Sequence, residues 1–166
     1  YVLLRPVSRP VALTAAFLDL TACIIKTGAR VFYIAPLWVL GSTSASPALH
    51  GFTPEQLQSS ALVLLRANDT GAATAMAFFG FSTLLNGYLI FRSTFLPRWL
   101  GVLGMTCGGC WLLYLYPPLG RGAFGITAIF GLLVSIVMIV WLLIKGVDVA
   151  KWNAKAGAST SQNRER

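Results

Sequence analysis

Apolar positions along the chain fall into four long runs, at about 11–40, 54–92, 97–116 and 121–145, separated by short segments rich in Pro, Gly, Ser and Arg. A helix needs about 20 apolar residues to cross roughly 30 Å of hydrocarbon. The pattern therefore predicts an all-α, polytopic transmembrane helical bundle with four spanning helices. The first run starts after Pro10 and stops at the stretch 41–51, rich in Ser, Gly and Pro. The second opens with Thr53-Pro54-Glu55-Gln56. Here Thr53 can cap the helix, Gln56 completes a capping box, and Pro54 suits the first helical position. Wholly helical, this run would measure about 57 Å, so it must project beyond the bilayer or break. The third run is short for a span and stops at Pro117-Pro118; the fourth is almost unbroken up to Lys145-Gly146.

Residues 11–152 form the expected transmembrane domain. Residues 1–10 read as a cytoplasmic loop, and apolar Tyr1 to Leu4 ahead of it reads as the end of an earlier spanning helix, so the chain is expected to be a fragment. Asp148 to Trp152 looks like one amphipathic interfacial turn. The small and polar residues 153–166 are expected to be a disordered cytoplasmic tail.

Composition strengthens the membrane assignment. A soluble domain carries about 25% charged residues, whereas this chain has 11% charged against 56% apolar, with a mean hydropathy of +0.71. The net charge of +8 then reports orientation and anionic headgroups, with no call for nucleic acid. Nine of the thirteen cations are Arg5, Arg9, Arg92, Arg98, Lys145, Lys151, Lys155, Arg164 and Arg166. They lie on one side if there are four spans, which places both ends of the fragment in the cytoplasm and the protein in a plasma (inner) membrane. Trp38, Trp111, Tyr114 and Tyr116 fall toward the outer boundary, Tyr88, Trp99 and Trp141 toward the inner one.

Lipid is as apolar as leucine, so helices in a membrane associate through close packing of small residues. Ala73, Gly80 and Gly87 recur every seven residues; Gly101, Gly104 and Gly108 mark a second seam, and Ala128, Gly131 and Ser135 a third. All three predict tight helix pairing.

Charges inside a span are expensive and need partners or water. Asp19, Lys26, Arg30 and Tyr33 share one face of the first helix with Cys23, a polar stripe. On the second helix Arg66 can pair with Asp69 three residues on, beside Asn68. Arg30 and Asp69 are expected to approach one another across the two helices, to within about 8 Å, the reach of a water chain. The stripe is either a buried structural network or the lining of a small cavity for an anionic or polar ligand, or for proton relay.

Cys107-Gly108-Gly109-Cys110 has the spacing of a redox dithiol. Enzymes that use such a pair in a membrane pass electrons on through cysteines in an external loop, and the remaining cysteine, Cys23, sits on the first helix. Packing is the simpler role for the pair. His50 stands in a loop without ligand-type neighbours in sequence, so no metal site is expected. No phosphate-binding glycine loop, nucleophile triad or carboxylate pair is present in the sequence, and neither catalytic residues nor a cofactor are expected.

The segment Leu64 to Leu103, with Phe78-Phe79-Gly80-Phe81, Gly87-Tyr88-Leu89-Ile90-Phe91-Arg92-Ser93 and Phe95-Leu96-Pro97-Arg98-Trp99-Leu100-Gly101-Val102-Leu103, resembles the bacterial multi-pass family catalogued as domain of unknown function 4386. Tyr1-Val2-Leu3-Leu4-Arg5-Pro6-Val7 and the closing Lys145-Gly146-Val147 with Lys151-Trp152 are similar to it as well. The resemblance implies six-helix membrane proteins, two N-terminal helices beyond this sequence, and no known activity. It also implies a histidine in many members where this chain has Asn68. The expected product is a non-enzymatic membrane protein whose polar stripe is structural or binds a small ligand. A transporter-like or proton-handling subunit is the alternative, and a thiol oxidoreductase a more distant one. Membrane lipid is the expected partner; a second copy or a larger membrane complex stays open.

Overall fold

The computed structural model describes residues 1–41 and 51–164, and these are helical with short connections. The helices are α1 (Arg9–Gly41), α2 (Pro54–Arg92), α3 (Arg98–Trp111), α4 (Pro117–Ile144) and α5 (Val149–Arg164), with a 3-10 turn at Leu112–Leu115 between α3 and α4.

Three helices, not four, are long and apolar enough to cross a membrane: α1, α2 and α4. The third apolar run keeps α geometry for 14 residues and then tightens into the 3-10 turn. The cause is local. A residue before proline is pushed out of the helical region by the pyrrolidine ring, and Tyr116, before Pro117, is extended at φ −114°, ψ 95°.

The capping box forms as expected. The backbone N–H of Gln56 donates to Thr53 Oγ1 at 3.4 Å, and that of Thr53 donates to Gln56 Oε1 at 2.9 Å. From this cap α2 runs unbroken for 39 residues, about 58 Å at 1.5 Å per residue, so it projects beyond a bilayer instead of breaking.

Two faces of α2 bury different seams. Ala61, Asn68, Ala75, Ser82 and Leu89, spaced by seven, are buried, and so are Ala15, Ala22, Ala29 and Pro36 of α1, also spaced by seven. Ser82 Oγ donates to the Ala15 carbonyl at 2.9 Å, and a Cβ on Gly71 would sit 2.7 Å from Ala29 Cβ. Those two points fix α1 and α2 as antiparallel neighbours. The other face carries Gly80 and Gly87 against α3, with backbones so close that a Cβ on Gly87 would lie 2.5 Å from Met105 N and one on Gly108 2.5 Å from Leu84 N. The third seam differs from expectation: a Cβ on Gly131 would lie 3.2 Å from the Trp111 ring, and Ala128 and Ser135 face an apolar cleft of about 690 Å³ between α2, α3 and α4.

At one end the bundle closes on Leu4, Ala12, Leu89, Ile90, Phe95, Leu96 and Leu100, with Trp141 and Trp152 packed against them. Trp152 Nε1 donates to the Leu3 carbonyl at 3.0 Å, and Lys155 Nζ to the Arg92 carbonyl at 3.3 Å. The N-terminal segment with Arg5, the α2–α3 connection flanked by Arg92 and Arg98, and the start of α5 with Lys151 therefore meet. Trp99 and Trp141 stack edge to face nearby at 5.5 Å.

Where composition predicts structureless chain from residue 153, α5 continues through Arg164. Alanines at 150, 154, 156 and 158 are strong helix formers, and Asp148 starts the helix by accepting the Lys151 backbone N–H at 3.2 Å. The Lys151 ammonium lies 3.0 Å from its other oxygen. The Lys151 side chain and backbone donors hold the Asp148 carboxyl below the usual range.

Candidate functional site

The antiparallel α1–α2 register places Lys26 and Arg30, which flank buried Ala29, at the level of Asn68 and Asp69. These four side chains line a cavity of about 330 Å³ together with Tyr114 from the 3-10 turn and Arg121 from α4. Ala72, Ala73, Met76 and Phe124 form its apolar wall. Residues from α1, from α2, and from the adjoining 3-10 turn and α4 thus converge on one polar space. Three cations face one carboxylate, a formal charge of +2 when all are ionised.

These charges are not neutralised by one another. Among the described residues the one ion pair within 4.0 Å is Lys151–Asp148, at the start of α5. The Arg66–Asp69 pair is thus not formed at ion-pair distance, while Arg30 and Asp69, expected to approach one another, line the same cavity without an ion pair. Asp69 accepts a long hydrogen bond from Asn68 Nδ2 at 3.5 Å, and Arg30 lies over the Tyr33 ring at 5.4 Å. Asn68 is 9% exposed, and among the described residues its amide has that single side-chain hydrogen bond. Among the described residues no buried side-chain polar atom lacks a partner, so the unused capacity of Asn68 lies at an atom open to the cavity, where a polar occupant can reach it.

Of the residues singled out by sequence, Asp19 is half-buried on α1 and Arg66 exposed on α2, and neither lines the cavity. Arg121 and Tyr114 were not foreseen as members of a polar site. Their sequence signal was an interfacial position only, since they join the others solely through the packing of α4 on the 3-10 turn. Ser82 was also missed. It is fully buried, donates to Ala15 and accepts from Asn86 Nδ2 at 3.3 Å, and its place in the heptad of Ala61, Asn68 and Ala75 was the available signal.

Cys107 is a buried free thiol and Cys110 a half-buried one; Cys107 faces the apolar cleft beside Trp111. Among the described residues no cluster of His, Cys, Asp and Glu could hold a metal ion. His50 lies outside the described residues.

Three helices long and apolar enough to cross a membrane, packed through seams of small residues beside a polar cavity, mark a helical protein of membrane type. The chain belongs to the family Domain of unknown function (DUF4386), whose model matches residues 1–146. No curated protein and no solved structure matches it.

Proposed function

We propose that this protein is a non-enzymatic membrane protein that binds a small polar ligand in the cavity between α1, α2 and α4. The observation that carries this reading is a built polar space whose charges lack mutual ion pairs. A structural network would pair them, whereas Arg30, Asp69 and Arg121 stay exposed and Lys26 half-buried without ion pairs, so each needs a solvating partner. Water or a ligand meets the same need here. Binding is favoured over conduction through the α1–α2 seam, because Ala75, Ser82 and Leu89 close it below the cavity at 2%, 0% and 0% exposure. The redox alternative draws no support from a second cysteine pair, since the sequence holds three cysteines.

The same reading includes a topology. The α3 helix and its 3-10 turn together measure about 29 Å and lie beside α2 and α4, which suits a composite fourth crossing. An even number of crossings puts both ends on one side. The meeting of the cationic segments at one end of the bundle then supports a cytoplasmic location for both, in a bacterial plasma membrane, with the cavity toward the outer boundary.

Stability measurements separate ligand site from structural network. Lys26→Gln and Asp69→Asn proteins are expected to unfold within about 1 kcal/mol of the parent in detergent, as for solvated charges. Losses of about 3–5 kcal/mol, the cost of breaking a buried ion pair, would favour the network instead.

A further inference from the structure

We infer, building on the reading of the cavity as a polar-ligand site, that it holds a phosphate monoester group. Lys26 and Arg30 reach it from α1 and Arg121 from α4, so cationic donors approach from two opposing helices. A phosphomonoester carries about −1.5 to −2 charge and three acceptor oxygens at neutral pH, which suits three separate cations and the net charge of the lining better than the two oxygens and single charge of a carboxylate. Arginine matches phosphate in geometry as well as charge, offering two parallel N–H donors, and lysine adds a point charge. Asn68, nine-tenths buried, adds a neutral amide to the lining, and Tyr114 adds a phenol. Asp69 restricts the site to one anionic group by repelling a second. The volume exceeds that of phosphate itself, and Ala72, Met76 and Phe124 offer an apolar wall to the organic remainder.

Such a group could arrive on a water-soluble molecule or as the headgroup of an anionic lipid, and one experiment distinguishes them. The purified protein is placed in nanodiscs of zwitterionic lipid and its melting temperature followed with added glycerol 3-phosphate, with added glycerol, or with phosphatidic acid in the disc; a specific ligand raises it by mass action. Stabilisation by glycerol 3-phosphate assigns a soluble phosphomonoester, and stabilisation by phosphatidic acid alone assigns a headgroup. In either case Arg121→Gln and Lys26→Gln are expected to weaken the response about tenfold each, as for loss of a charge-assisted contact. Arg66→Gln, outside the cavity, is expected to leave it unchanged. Equal stabilisation by glycerol would overturn the phosphate assignment while leaving a polar-ligand site. No response to either phosphate probe, or an equal loss in Arg66→Gln, would overturn the assignment too. The polar-ligand reading itself stands or falls separately, on the stability of the Lys26→Gln and Asp69→Asn proteins.

Discussion

A Gly101→Leu protein is expected to lose the folded bundle. A Cβ at position 101 would run into the Phe91 backbone nitrogen and sit 2.6 Å from its Cα. Backbone cannot rotate away as a side chain can, so α3 would have to move off α2 along its whole length. Overpacking typically costs 1–3 kcal/mol, and here the cost is about 3 kcal/mol or more, because Gly87, Gly104 and Gly108 share the same contact. Gly109→Ala is the internal control: nothing lies within 4 Å of its Cβ position, so its midpoint is expected to stay within about 0.5 kcal/mol of the parent. Unfolding midpoints in a mixed-detergent titration, with size-exclusion profiles, read both. An unchanged midpoint for Gly101→Leu would mean that α3 does not pack on α2 in this way.

Ala15→Leu is expected to have the second-largest effect, a loss of about 2–3 kcal/mol. Ala15 is 1% exposed, and its carbonyl accepts the Ser82 hydroxyl across the α1–α2 seam. A leucine there would force the helices apart and shift Lys26 and Arg30 away from Asn68. Stability and the phosphate response should therefore fall together, although residue 15 lies well below the cavity. Leu13→Ala serves as its control; Leu13 is 42% exposed, and exposed changes usually stay within about 0.5 kcal/mol. If Ala15→Leu melted like the parent, the antiparallel register that builds the cavity would be wrong.

Much of the fold was legible because its signals are local. The capping box at Thr53 and Gln56, the proline at position 54 and the ends of α1 and α2 follow from neighbouring residues. The glycine seams of α2 and α3 were visible because glycine inside a helix has few reasons to be there other than close approach. The alanine seam of α1 was not, since alanine is common in any helix and the charged stripe on the same element drew the reading. The number of single long helices was overcounted by one. The run 97–116 is apolar throughout, but hydropathy does not register that a residue before proline leaves helical geometry, and Tyr116 does so.

The candidate site was half legible. Lys26, Arg30, Asn68 and Asp69 stood out because charge and amide groups in apolar helices are costly, and the structure brings them to one cavity. Asp19 and Arg66 satisfied the same rule without joining them. A helical face predicts which residues of one element lie together, and the register between elements decides which of them share a space. Arg121 and Tyr114 enter through that register, and no periodicity in either segment announces it.

Water access to the cavity is the most direct test. With Cys23, Cys107 and Cys110 replaced by alanine, a cysteine is placed at Ala72, in the cavity wall, or at Ile129, on the 63% exposed outer face of α4. Intact cells are then treated with a membrane-impermeant maleimide, which needs a hydrated thiolate. Ala72→Cys is expected to label from outside the cell, and Ile129→Cys to remain unlabelled until detergent is added. An Ala72→Cys protein that stays unlabelled in cells and in opened membranes, yet reacts after denaturation, would contradict a ligand-accepting polar cavity.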